Sequence, residues 1–334
     1  MANALADFVI RSREDRTVAV ASKIVIAGGS GHLGTLLTRA FRARGDEVVV
    51  LSRAPGEEPW KVVKWDGRSL GRWATEIDGA DAVINLAGRS VDCRYSARNR
   101  AEIRQSRIES TRVIGEAIAL ASRPPRVWLQ MSTATIYAHR FDAPNDECSG
   151  IIGNGEPWRF SVEVARAWEK ALDDAAAPDT RKVKLRTAMV MSAHPGGAFP
   201  ALLRHVRYGL GRMGSGRQYV SWVHEQDFVH AVAWLLAHDE IEGVVNIAAP
   251  SPLPAADFLE ALGDAWGSRL RIPVPRWLIE IGTFVLRTES ELVLKSRRVV
   301  PKRLSDAGFP FLFPNWPRAA RDLCERTRGG AVRY

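Results

Sequence analysis

The sequence predicts an α/β protein, a doubly wound parallel sheet with a smaller, mostly helical C-terminal substrate lobe. Three observations predict it. Short β-branched runs alternate with helical patterns through about three quarters of the 334 residues. Several of those runs are apolar almost throughout, as strands covered on both faces must be. Beyond about Pro250 the strand signals stop, and helical patterns punctuated by prolines ("PSPLP", "IPVPRW", "FPFLFPNWP") take over.

In chain order, residues 1–21 read as an extension. The strands are then "KIVIA" from Lys23, "EVVVL" from Glu47, "KVVKW" from Lys61, "AVINL" from Ala82, "RVWLQM" from Arg126, "KLRTAMV" from Lys184 and "VVNIA" from Val244. Between the last three, "WRFSVEVARAWEKAL" sets Trp158, Val162, Ala165, Trp168 and Leu172 on one helix face. "DFVHAVAWLLAH" offers Asp227 as an N-cap, with Phe228, Val232 and Leu235 on one side, and His224 as a structural histidine nearby.

Composition narrows the function classes. With 46% hydrophobic and 25% charged residues, the chain can bury a real core. No run approaches the roughly 18 apolar residues of a membrane span, and the first twenty lack a signal peptide's apolar centre, so a cytoplasmic protein is expected, or one of an organelle reached by other means. Cys93, Cys148 and Cys324 are odd in number and lack metal-ligand spacing, which excludes a disulfide framework and predicts no metal. The net charge of +9 is concentrated at the end, where residues 268–334 hold fourteen Lys or Arg against six Asp or Glu. That surplus reads first as a solvated face, or else as one that steers a phosphorylated small molecule; without zinc-finger spacing or an aromatic RNA-binding box, no nucleic-acid or membrane partner is expected. Nothing in the sequence fixes an oligomeric state.

Gly28, Gly29, Gly31 and Gly34 stand directly after the first strand and directly before the helical pattern Leu36, Leu37, Ala40, Phe41. Both G-x-G-x-x-G and G-x-x-G-x-x-G spacings fit. In either, one glycine turns the chain, one lets backbone N–H groups approach a pyrophosphate, and the last lets helix and strand pack closely. Ser30, His32 and Leu33 complete the loop, with His32 as filler beside the phosphates, which sit at the helix's positive end. The second strand closes on Ser52 and Arg53, where an NAD-binding site would carry an acid. A donor and a cation there suit the 2′-phosphate of NADP. Asp66, ending the third strand, could bond an adenine amino group or cap the next turn.

Several stretches together resemble the extended, epimerase-like short-chain dehydrogenase/reductase superfamily: "GGSGHLG", "NLAG" at Asn85–Gly88 and "STATIYA" at Ser132–Ala138. "GSGRQYVSWVHEQDFVHAV" and "VVPKRLSDAGFPF" are similar to an atypical branch labelled nucleoside-diphosphate-sugar epimerase, whose members carry a C-terminal domain of unknown function. The resemblance implies a Rossmann-type NADP-binding domain over 22–190, to which 221–250 return, and a substrate-binding lobe from 191–220 and 251–330. It also implies that Leu86, Ala87 and Gly88 line the cofactor while Asn85 ties strands together. Thr133 would take the place of the superfamily's catalytic Ser or Thr, and Tyr137 that of a hydroxyl for proton relay.

One departure is plain. The superfamily's Y-x-x-x-K pair is absent: four residues beyond Tyr95, Tyr137, Tyr208 and Tyr219 stand Asn99, Phe141, Arg212 and Val223, and Tyr334 is the last residue. Aligning Glu169 with the superfamily's usual acid puts Ser161 at the tyrosine's position and Ala165 at the lysine's. His139, Arg140, Asp142 and Glu147 are substitutes by proximity alone. Arg217 in "GRMGSGRQ", with Lys302 and Arg303, could face a substrate phosphate. The expected function is an NADP-dependent oxidoreductase or epimerase acting on a carbonyl or hydroxyl of a small anionic substrate such as a nucleotide sugar. The alternative is a non-catalytic NADP(H) redox sensor.

Overall fold

A computed structural model describes residues 21–155, 158–279 and 291–330. Apart from its last residue, the expected extension over 1–21 lies outside them. Seven strands form one sheet: β1 (Lys23–Ala27), β2 (Glu47–Ser52), β3 (Lys61–Lys64), β4 (Ala82–Asn85), β5 (Val127–Thr133), β6 (Arg181–Thr187) and β7 (Gly243–Ile247). Every pairing is parallel, in the order β7-β6-β5-β4-β1-β2-β3. Strand order therefore reverses between β1 and β4, and the carboxyl ends of those two strands open the crevice where a doubly wound sheet takes its ligand.

The sequence dictates this sheet through period two. Ile24, Ile26, Val48, Val50, Ile84 and Leu129 face one core, and the residues between them, Val25, Ala27, Val49, Leu51, Val83 and Trp128, face another. Helices α1 (His32–Ala43) and α5 (Glu225–Ala237) cover the first face with Leu37, Phe41, Phe228, Val232 and Leu235. The long helix α2 (Ala97–Leu120) covers the second with Val113, Ile114, Ala117 and Ile118. Each buried aliphatic side chain contributes about 1.5–3 kcal/mol, enough to override the mixed charges along α2. Helix α3 (Arg159–Asp173) puts Trp168 toward the first core and Leu172 toward the second.

A third core lies outside the sheet. Helices α4 (Ala198–Arg207), α6 (Ala255–Trp266) and α7 (Trp316–Arg328) bury Phe199, Leu203, Phe258, Leu262 and Leu323 there. Trp316 is its keystone, stacked on Phe258 at 3.9 Å, set edge-on to Trp222 at 5.0 Å, and donating from Nε1 to the Phe258 carbonyl at 2.8 Å. Two short strands, Leu253–Pro254 and Ile272–Val274, form in a region whose sequence shows no strand signal, each pairing only with a short partner.

The N-cap of α5 differs from the sequence expectation. His224 holds that position, its Nδ1 accepting from Gln226 N at 3.2 Å while its Nε2 faces Asp322 at 3.1 Å. Asp227 lies inside the helix, and its carboxylate accepts from Leu312 N and Phe313 N at 2.8 and 2.9 Å. It fastens the chain leading into α7, a task no local pattern announces. Another fastening runs from Lys295 to Val300. Ser296 and Val300 bond the chain leaving β5, through His139 Nδ1, the Arg140 carbonyl and the Asn145 carbonyl. Arg297 N and Val299 N bond Tyr219 and Ser221 on the other side.

Candidate functional site

The glycine loop sits at the carboxyl end of β1, and each glycine has its own reason. Gly28 has a positive φ of 75°, and a Cβ there would stand 2.9 Å from the Ala87 Cα, so only glycine lets the loop touch the exit of β4. A Cβ on Gly29 would meet both Val50 methyls at 2.9 Å, and one on Gly34 would lie 2.4 Å from the Gly29 Cα. These two set α1 hard against loop and sheet. Gly31, the N-cap of α1, meets only the Gly28 carbonyl, at 3.3 Å, and no side chain caps the helix. The first-turn amides of α1 are thus left for an anion.

His32 packs against the loop before α4. A Cβ on Gly197 would fall 3.1 Å from His32 Nε2, and that nitrogen is buried without a hydrogen-bond partner. Burial is the largest influence on His32 and lowers its pKa; Glu225 acts against it and His194 with it. A neutral, space-filling ring results. This closure by residues 194–197 carries no signature that sequence reasoning used.

At the end of β2, Ser52 is buried, its hydroxyl 3.0 Å from Ser30 Oγ and bonded to the Ala54 backbone. It braces the loop, while Arg53 is exposed beside it. Asp66 caps the next turn: its carboxylate accepts from Arg68 N, Ser69 N and Ser69 Oγ, and these bonds lower its pKa to about 2. Of the two roles open to Asp66 in the sequence, this geometry occupies it with the cap.

At the end of β4, Asn85 is fully buried and donates to Gln130 Oε1 at 3.0 Å, tying β4 to β5, while its Oδ1 holds Ala87 N at 3.0 Å. Leu86 N bonds the Ala27 carbonyl. A Cβ on Gly88 would come within 3.1 Å of the Arg107 guanidinium carbon. Arg107 itself lies over the Trp168 ring at 4.9 Å and donates to the Arg89 and Ile103 carbonyls. Loss of hydration pulls its pKa down to about 10. Sequence reasoning missed this cation, since nothing local ties residue 107 to residue 88.

Thr133 ends β5, half-buried, with its Oγ1 accepting from Thr135 N at 3.1 Å. Tyr137 does not stand beside it as an open hydroxyl. It is 2% exposed, donates to Asn246 Oδ1 at 2.9 Å and accepts from Arg186 at 3.1 Å. Burial raises its pKa. Arg186 in turn forms a paired contact with Glu169 at 2.8 Å, and Glu169 also accepts from Ser132 Oγ at 2.6 Å. The relay expected of Tyr137 does not fit a phenol locked in this buried network.

The other substitutes are also committed. His139 Nδ1 accepts from Ser296 N, Arg140 pairs with Asp142, and Glu147 accepts from Asn246 N at 2.8 Å. Arg303 donates to the Glu242 and Val244 carbonyls at the amino end of β7, the end of the sheet away from the crevice. Lys302 beside it pairs with Asp306, while Arg217 is exposed on the turn before Gln218. A pocket of 370 Å³, floored by Phe199 and Leu203 and rimmed by Arg204 and Arg207, includes none of the sequence-predicted site residues.

The NAD dependent epimerase/dehydratase family matches residues 24–248, and a domain of unknown function, DUF1731, matches 274–323. The chain is 32% identical over 308 residues to the epimerase family protein SDR39U1 of Bos taurus, covering 90% of this chain and 99% of that one. The crystal structure of human SDR39U1 (isoform 2) with NADPH superimposes with a TM-score of 0.80 at 30% identity, covering 91% and 99% of the two chains. A nucleoside-diphosphate sugar epimerase from Corynebacterium glutamicum superimposes with a TM-score of 0.76 at 25% identity, covering 96% of this chain and 62% of that one.

Proposed function

The chain belongs to the NAD dependent epimerase/dehydratase family, and from that premise we propose that it binds NADP(H) and acts on a carbonyl or hydroxyl of a small anionic substrate such as a nucleotide sugar. The glycine cradle carries the reading. Positions 28, 29 and 34 have no room for a side chain, and the uncapped start of α1 faces the crevice between β1 and β4. Arg53 supports the 2′-phosphorylated coenzyme, as does the NADPH held by the human relative. The substrate class is supported by the name of the Corynebacterium relative and by the basic surplus of residues 268–334.

When bound, the coenzyme supplies or accepts a hydride. The chain's own residues do the rest. The amides of α1 hold the diphosphate, the contact between Gly28 and Ala87 sets the floor of the crevice, and the Arg53 guanidinium meets the extra phosphate. Because Thr133 Oγ1 already accepts from Thr135 N, its own O–H is left to donate to the reacting oxygen of the substrate.

The test follows NADPH absorbance and product stereochemistry over a panel of nucleotide sugars and aldehydes. Turnover with at least one of them is expected, falling roughly a hundredfold to a thousandfold in Thr133→Val. Inactivity across the panel with coenzyme demonstrably bound would leave the non-catalytic redox sensor as the better reading.

A further inference from the structure

The turn after Thr133 is flanked by a chain of polar contacts that the coenzyme cradle does not use. Ser161 Oγ, in the first turn of α3, donates to Glu291 Oε2. Among the described residues, Glu291 Oε1 is buried without a hydrogen-bond partner and lies 3.6 Å from Lys295 Nζ. Lys295 Nζ donates to the Thr135 carbonyl at 2.7 Å, closing the chain on the turn that carries Thr133. Glu291 and Lys295 are 5% and 2% exposed, whereas Ser161 is half-buried.

Two ionised groups this dry cost several kcal/mol each unless well paired, and here they stand 3.6 Å apart, slightly longer than a good hydrogen bond. Moving charge on or off a carbonyl or hydroxyl oxygen needs a proton partner whose pKa lies near the working pH. Unaided, the hydroxyls of Thr133 and Ser161 cannot supply one. Lys295 can, because burial, its largest influence, lowers its pKa from 10.5 to about 8, against Glu291, which raises it, and with Arg297, which lowers it. The other titrating neighbour, His139, is held low by burial and by Lys295 and Arg297, so it stays a neutral acceptor for Ser296 N.

We propose that Ser161, Glu291 and Lys295 form a proton relay between the C-terminal lobe and a substrate oxygen held at Thr133, a proposal that rests on the coenzyme-dependent reading above. Ser161 is the member that meets the substrate; Glu291 and Lys295 act through it. A substrate hydroxyl passes its proton to Ser161 Oγ as the Ser161 proton passes to Glu291 Oε2. A half-turn of the carboxyl group about its Cγ–Cδ bond then presents that proton to the neutral amine of Lys295. One proton has moved from substrate oxygen to Lys295 Nζ, and the reverse sequence delivers one.

Nuclear magnetic resonance of isotope-labelled lysine side chains in the full chain tests this without requiring turnover. One lysine is expected to titrate at about 8 and to vanish in Lys295→Met. In Glu291→Gln, which removes the charge that raises it, the midpoint should fall further. Bound NADP, whose oxidised ring is cationic, should place that midpoint at least ~0.5 pH unit below its value with bound NADPH. An ordinary lysine midpoint for Lys295, or one that stays the same for both coenzymes while calorimetry shows both bound, overturns the relay and leaves the coenzyme site standing. Calorimetry showing neither bound overturns that site and the relay with it. Should Glu291→Gln fail to fold, the unsubstituted chain's midpoint and its response to the two coenzymes decide.

Discussion

A methyl group at residue 34 would overlap the Gly29 backbone at 2.4 Å, whereas one at residue 31 would meet a single carbonyl at 3.3 Å from a backbone with φ −77°. The two substitutions should therefore separate folding from binding. Gly34→Ala is expected to lower the melting temperature and abolish coenzyme binding. Gly31→Ala is expected to melt close to the unsubstituted chain yet bind coenzyme at least tenfold more weakly, its methyl lying where phosphates approach. Thermal melting with calorimetry checks both. Arg53→Asp should cost about 1.5–3 kcal/mol of NADPH affinity, roughly tenfold to a hundredfold, with a far smaller change for NADH. Equal losses for both coenzymes would remove Arg53 from the 2′-phosphate site.

At the scale of elements, the buried pair of Glu169 and Arg186 joins α3 to β6, through Ser132 to β5, and through Tyr137 to the turn beyond it. Glu169→Gln leaves the Arg186 charge buried without a counter-charge and is expected to cost about 3–5 kcal/mol in denaturant unfolding. How much of this was legible follows from range. The strands were, because apolar residues destined for both faces leave their mark within five or six positions, and the glycine loop was, because its motif is contiguous. Helix α2 was not: its buried residues, Ile103, Val113, Ile114 and Ala117 among them, are diluted by charged residues such as the exposed Arg98, Arg100, Arg104 and Arg112. The Asp66 cap was one of two readings, and the placement of Arg68 and Ser69 makes it visible. Contacts such as Arg107 with Gly88, Asp227 with Phe313 and Lys295 with Thr135 have no local pattern at all. They exist only once distant parts of the chain are packed, so residue types alone could not place them.

For the whole molecule, four of the seven histidines, His32, His139, His205 and His230, have pKa values lowered from 6.5, in each case mainly by burial. A lowered folded pKa means that the unfolded chain binds more protons just below 6.5. That contribution to stability is complete above this value and is lost as pH falls through it. His205→Gln can keep a donor to the Gly211 carbonyl, 2.8 Å from His205 Nε2, while removing the titration. Its melting temperature should gain on the unsubstituted chain as pH falls from about 7 to about 5; a constant difference would show that His205 does not contribute. The fastening from Lys295 to Val300 has a consequence in time as well. Thr135 leaves the ribosome 160 residues ahead of the lysine that grips its carbonyl. During synthesis the sheet's first six strands can assemble while the bend beyond the fifth still hangs loose. The turn that carries Thr133 is then fixed late, after most of the sheet has formed.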